Sequence, residues 1–182
     1  MDFKELVEKR QSVRKYSSKA IEKEKLEQIL ESARLSPSAC NSQPWHFVVI
    51  DNPEIKNSVA KATFNKVVNF NKFVTQAAVI IVIVIEKPTV ISEIGGRIKN
   101  KEYPLFDIGI VAEHICLQAE ELNIGSCMIG WFDEKKIMKT LNIPNKKTVG
   151  LVITLGYAPE GYKLRKKIRK NKNEIISFNK YK

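Results

Sequence analysis

Ala77-Ala-Val-Ile-Ile-Val-Ile-Val-Ile85 is an unbroken apolar run, and most of its residues branch at Cβ. Branching favours the extended chain. With no polar alternation, the run predicts a strand buried on both faces in the middle of a covered sheet. It falls far short of the roughly 20 residues that cross a bilayer. Working outward, Trp45–Ile50 is aromatic and β-branched and predicts a second strand. Residues 126–131 and Thr148–Tyr157, the latter interrupted by Gly156, predict two more. Helical spacing marks residues 2–10, with Phe3, Leu6, Val7 and Arg10, and then Leu26, Ile29, Leu30 and Ala33. The second of these should stop before Pro37, because a residue preceding proline avoids the α region. Asn52-Pro53 reads as an N-cap and first-turn proline opening a helix near 53–62. The best helix covers about 105–122, with Ile108, Val111, Ala112, Ile115, Ala119 and Leu122 on one face and Gly125 as its stop. Asp133 caps a shorter helix ending near Leu141. Residues 11–22 read as a connector, and residues 87–103, with Pro88, Gly95 and Gly96, as an irregular connection. Helices and strands mix without βαβ alternation, which favours an α+β sheet with helices packed on it.

Length and charge narrow the function. A chain of 182 residues is one domain by size, or two small ones, and is large enough to bury a core without disulfide or metal staples. It is 43% hydrophobic and 28% charged, a globular composition. Three cysteines without close spacing argue against a secreted disulfide framework and for a reducing cytosol. The N-terminal stretch lacks an apolar signal core, so a cytoplasmic protein is expected. The formal net charge is +11. Residues 163–182 hold nine basic side chains (Lys163, Arg165, Lys166, Lys167, Arg169, Lys170, Lys172, Lys180, Lys182) against one acid, Glu174. The body is nearly balanced and the tail is basic, which favours a local anion site or a solvated tail over a nucleic-acid field.

Several chemistries lack their residues. His46 and His114 form no His-Glu-x-x-His pattern, and Cys40, Cys116 and Cys127 form no Cys-x-x-Cys pair, so a zinc site has little support. Gly-x-Ser-x-Gly, Walker A and Gly-x-Gly-x-x-Gly are absent. Cys116 and Cys127 lie in apolar surroundings and read as core thiols. No protein catalytic residue stands out, so if the chain is an enzyme a bound cofactor is expected to carry the reaction.

Five clusters remain. Arg10-Gln-Ser-Val-Arg14 follows the first helix. In an extended segment Arg10, Ser12 and Arg14 point the same way and suit a phosphate, although for these five residues alone a solvated charged turn is the preferred reading. Ser38-Ala-Cys-Asn-Ser-Gln-Pro-Trp45 places hydroxyls and amides before a strand, and amides suit the edge of a polar heterocycle; an ordinary surface loop is the plainer reading. Phe70-Asn71-Lys72 precedes the buried run. Gly130-Trp131 ends a strand where a flat ligand could approach backbone N–H groups. Lys167 and Arg169 lie two apart in the basic tail, where a solvated charge run competes.

Together these elements resemble the FMN-dependent nitroreductase family over nearly the whole chain. The resemblance rests on Arg10-Gln-Ser-Val-Arg-Lys-Tyr16, Ser36-Pro-Ser-Ala-Cys-Asn-Ser-Gln-Pro-Trp-His46, Asp107-Ile-Gly, Gly125-Ser-Cys-Met-Ile-Gly-Trp131 and the late basic cluster before Glu174-Ile-Ile. It implies an α+β sandwich whose central sheet is mainly antiparallel, in an intertwined homodimer with two FMN molecules at the interface. By motif position Arg10, Ser12 and Arg14 would hold the phosphate and ribityl chain, and Lys167 and Arg169 would close on the phosphate. Asn71 would meet the polar edge of the isoalloxazine ring. Backbone N–H groups around Gly130 would face N5, and Ser38, Asn41 and Gln43 would reach the partner's flavin. The reaction implied is hydride transfer from NAD(P)H to flavin N5, then to an acceptor such as a nitroaromatic or quinone. A short connection over 87–103 suggests a more open pocket than in larger relatives, or a different substrate range. The alternatives are another reaction on a flavin scaffold (dehalogenation, small-molecule oxidation or flavin fragmentation) and a basic nucleic-acid-binding protein using residues 163–172.

Overall fold

A computed structural model describes residues 1–67 and 69–181; Lys182, counted with the basic tail above, lies outside them. The apolar run forms β2 (Val79–Ile85). It sits inside a four-stranded antiparallel sheet with β1 (Trp45–Ile50), β4 (Thr148–Gly156) and β3 (Gly125–Ile129), in the order β1-β2-β4-β3. Alternation along β2 splits its side chains between two cores. Ile80, Val82 and Val84 join one, and Val79, Ile81 and Ile83 the other. Ile80, Ile81, Val82 and Ile83 are wholly buried, as a strand covered on both faces requires.

Helices supply the covers. On one face lies α5 (Tyr103–Glu121), burying Ile108, Val111, Ala112, Ile115 and Ala119 beside Ile29 and Ala33 of α2 (Lys23–Arg34). On the other, α3 (Pro53–Ala60) contributes Val59 and Ala60, and α6 (Glu134–Thr140) contributes Ile137 and Met138. The expected caps are present. Asn52 Oδ1 accepts from the N–H groups of Glu54 and Ile55 at 3.0 and 3.1 Å, and Asp133 Oδ1 accepts from Lys136 N at 3.1 Å. Asp2 and Glu5 close a reciprocal capping box on α1 (Phe3–Lys9). The architecture is the expected α+β one.

Four boundaries differ from expectation. Residues 87–103 are not irregular: they hold α4 (Val90–Lys99). Its Gly95-Gly96 pair disfavours a helix by about 1 kcal/mol per residue, but Gly96 is there for a close approach. A Cβ on Gly96 would stand 2.7 Å from the Lys101 carbonyl oxygen, where the chain turns back through Asn100 in the left-handed conformation. The long helix begins at Tyr103, with Pro104 in its first turn. Strand β3 ends at Ile129, so Gly130-Trp131 leaves the sheet. In the tail, Asn171 caps a single turn, α7 (Lys172–Ile175).

Segment 10–14 is sewn to the outer edge of β3. Ser12 bridges Ser126 in parallel sense, and Val13 N donates to Ser126 O at 2.8 Å. The Val13 side chain fills the notch over Gly125, where an added Cβ would stand 2.7 Å from Val13 Cγ2. Gly125→Ala therefore overpacks a closed contact, and we expect a loss of about 1–3 kcal/mol in stability, measured as the shift of a urea unfolding transition at constant slope.

Candidate functional site

With Val13 turned inward, alternation turns Arg10, Ser12 and Arg14 outward, as the extended reading required. The tail returns across them. Arg165 Nη2 donates to Ser12 O at 3.0 Å, and Lys167 Nζ donates to Val7 O at 2.9 Å and to Arg10 O. The result is a cleft of about 340 Å³ lined by Arg10, Ser12, Arg14, Arg165, Lys167 and Arg169. Among the described residues, one carboxylate pairs directly with these cations: Glu113 Oε1 lies 3.1 Å from Arg10 Nη2. Arg10 Nε is buried without a hydrogen-bond partner. Burial, then repulsion from Arg10 and Arg169, holds the Lys167 ammonium below its ordinary pKa. Converging like charges raise one another's energy until an anion joins them.

A second cleft, about 390 Å³, is lined by Phe70, Asn71, Cys127, Gly130 and Trp131, and again by Arg14. Arg14 thus joins the two. Both lie within the range of small-molecule sites. Phe70 and Trp131 are exposed aromatics, 64% and 57% accessible, and form apolar walls. Asn71 is buried, and its Nδ2 donates to Thr63 O at 3.1 Å and Trp131 O at 3.3 Å. The side chain therefore braces the turn that carries Trp131. Among the described residues, none beyond Gly130's own chain neighbours comes within 4 Å of the place a Gly130 Cβ would occupy, so the strand end is open to a flat ligand. Burial pushes the Cys127 thiol up, and burial pushes Cys116 up to about 12. Neither is an activated nucleophile.

The amide loop lies elsewhere. Ser38 Oγ accepts from Gln43 N at 2.8 Å, and Gln43 Nε2 donates to Asn41 Oδ1 at 3.1 Å. Ala39 N donates to Asp107 Oδ1 at 3.0 Å. Cys40, Asn41 and Gln43 have positive φ, at 53°, 49° and 46°, and for Cys40 and Gln43 that conformation costs free energy. This loop enters β1, whereas the clefts flank β3 at the other edge of the sheet. Three strand spacings, roughly 14 Å, separate those edges. The structure brings Arg10, Ser12, Arg14, Asn71, Gly130, Lys167 and Arg169 together in two joined clefts. It leaves Ser38, Asn41 and Gln43 on the far side of the same chain.

Gln11, Glu113, Tyr162 and Arg165 were not singled out from sequence, yet all touch the basic cleft or its cations. One signal was available: Arg165, Lys167 and Arg169 alternate, and an extended segment puts alternate residues on one side. Among the described residues no group of His, Cys, Asp or Glu is placed to hold a metal ion, and no helix is long and apolar enough to cross a membrane.

Comparison with known proteins identifies the family. Residues 7–157 match the model of the nitroreductase family. An oxygen-insensitive NADPH nitroreductase of Helicobacter acinonychis is 29% identical, over 96% of this chain and 95% of its own. A nitroreductase family protein from Clostridium novyi NT superposes with a TM-score of 0.78 at 33% identity, covering 88% of this chain and 87% of that one. An FMN-dependent nitroreductase from Clostridium difficile R20291 superposes with a TM-score of 0.76 at 29% identity, covering 97% and 98%. With a matching family model across most of its length and matching architecture throughout, the chain belongs to the nitroreductase family.

Proposed function

We propose that the protein is an FMN-dependent oxidoreductase that takes hydride from NADH or NADPH and passes it to a small acceptor such as a nitroaromatic or a quinone. The observation that carries this reading is the pair of clefts sharing Arg14. One is cationic and the other is walled by aromatics and a buried amide, the ends that a phosphate and a flat heterocycle need. The residues fit the group: basic side chains outnumber the carboxylates beside them, and Arg10 Nε still lacks an acceptor. Bound there, FMN supplies a ring that can accept and release hydride.

The chain's own residues do the rest. Arg10, Arg14, Lys167 and Arg169 neutralise the phosphate through charge-assisted hydrogen bonds, and the Ser12 hydroxyl adds a short one. The Asn71 carboxamide nitrogen is spent on Thr63 and Trp131, so its oxygen is left to meet the polar edge of the ring. Backbone N–H groups around Gly130 would meet the N5 side of the ring. Phe70 and Trp131 exclude water from the ring face. Two of the tail's basic side chains, Arg165 and Lys167, are engaged by carbonyls of segment 7–12, which holds the tail against segment 10–14 and supports a cofactor clamp over a nucleic-acid surface.

Ser38, Asn41 and Gln43 enter as a partner's residues. One chain keeps them at the opposite sheet edge, so a homodimer is the arrangement in which they reach a flavin. The strained backbone of that loop supports a role beyond connection.

Purified protein should be yellow and should release FMN on denaturation; a colourless protein that FMN cannot reconstitute would sink this reading. Arg14→Ala removes a charged contact worth about 1.5–3 kcal/mol. FMN affinity should fall about 10- to 100-fold in fluorescence titration of the apoprotein, and unchanged affinity would remove Arg14 from the site. Sedimentation should show a dimer, against which a fully flavin-loaded monomer would count. Steady-state kinetics with each nicotinamide over a panel of acceptors then reads the hydride donor and acceptor preference.

A further inference from the structure

The basic tail lies across segment 10–14 without a backbone ladder. Among the described residues, no backbone-to-backbone hydrogen bond is found between residues 163–170 and the body of the protein. Side chains hold it instead. Gln11 Oε1 accepts from Arg165 N at 3.1 Å, and Gln11 Nε2 reaches Lys163 O at 3.5 Å. An N–H and a C=O two residues apart are the pair that a neighbouring parallel strand would engage, so the Gln11 carboxamide stands in for a peptide group. Arg165 Nη2 is shared between Ser12 O at 3.0 Å and Tyr162 Oη at 2.9 Å, and Tyr162 Oη also accepts from Arg14 N at 3.1 Å.

We propose that Gln11, with Arg165 and Tyr162, is a clasp that sets the register of the tail over segment 10–14 and so fixes the spacing between the two halves of the phosphate site. This rests on the FMN reading above. Gln11 holds the main chain of Arg165. Lys167 and Arg169 follow at steps of two in an extended segment, so they inherit its facing and meet Arg10, Ser12 and Arg14 across the cleft. Arg165 Nη2 is engaged by Ser12 O and Tyr162 Oη, so this end of the side chain braces the tail. Gln11 and Tyr162 are positioning residues: they carry no charge for the phosphate, yet they decide where the charges stand.

Gln11→Leu keeps the side chain's bulk and removes both hydrogen bonds. Two measurements test the clasp. First, apoprotein is titrated with FMN and with riboflavin, which lacks the phosphate. The variant should bind FMN about three- to tenfold more weakly and riboflavin as the wild type does. Second, trypsin should cut the apoprotein within residues 163–170 faster in the variant, and FMN should slow cutting more in the wild type. An unchanged ratio of FMN to riboflavin affinity, or equal cleavage rates, overturns the clasp. If Gln11→Leu fails to fold, Tyr162→Phe, which keeps the ring and loses only the oxygen, is read in the same way. Wild-type protein that binds FMN no better than riboflavin would instead overturn the phosphate reading itself, so the two failures are distinct.

Discussion

The hydrogen bond from Val13 N to Ser126 O, with the Val13 side chain seated over Gly125, is the constraint from which the site is built. It pins an otherwise irregular segment to the outer edge of β3 and fixes its facing. Once Val13 points inward, Arg10, Ser12 and Arg14 have no choice but the other side. The same contact covers an open strand edge, which would otherwise present unpaired backbone groups to other chains. Tyr16 repeats the device one step on. Its ring packs where a Cβ on Gly156 would stand 2.8 Å away, and its hydroxyl lies 2.7 Å from Thr154 Oγ1. Glycine at the ends of β3 and β4 is therefore a docking surface for the N-terminal segment.

The cationic cleft works against folding and for binding. Arg10 is relieved by Glu113, but Lys167 sits half-buried beside Arg10 and Arg169, and its depressed pKa records the strain. An exposed lysine would avoid that cost. The arrangement makes sense where an anion is expected, because binding to the folded state alone returns the free energy as stability. Burial pushes the Glu120 carboxyl up from its ordinary pKa, while the neighbouring charges of Lys167, Lys9 and Arg10 pull it down.

Much of this was legible in the sequence, and the failures share a cause. The β2 run, the caps at Asn52 and Asp133, and the alternation of Arg10, Ser12 and Arg14 are local signals, and each appears where it was expected. Helix α4 was hidden because Pro88, Gly95 and Gly96 look like breakers, whereas Gly96 is needed for the close passage of Lys101. Asn71 was legible as a polar residue near the site; its bracing of Trp131 was not, because the two lie 60 residues apart. Arg165 was lost in a charge run, since composition does not say which cation is spent on Ser12 O. Ser38, Asn41 and Gln43 were legible as an amide cluster, but no local signal states which sheet edge carries them.

The way the tail is held bears on how a cofactor could enter. A strap joined by a strand ladder would open only with part of the sheet. This one is held by Gln11, Arg165, Tyr162 and Lys167, through bonds that are mostly solvent-exposed. Such bonds contribute about 1 kcal/mol each, so opening belongs to the low-energy end of local fluctuations and leaves the two cores intact. Lys167 is the exception, being partly buried against Val7 O and Arg10 O. It anchors the strap at the point where the proposed phosphate would be neutralised. Closing the strap and completing the anion site are then one event, because the side chain that fastens the tail is also one of the charges the ligand needs.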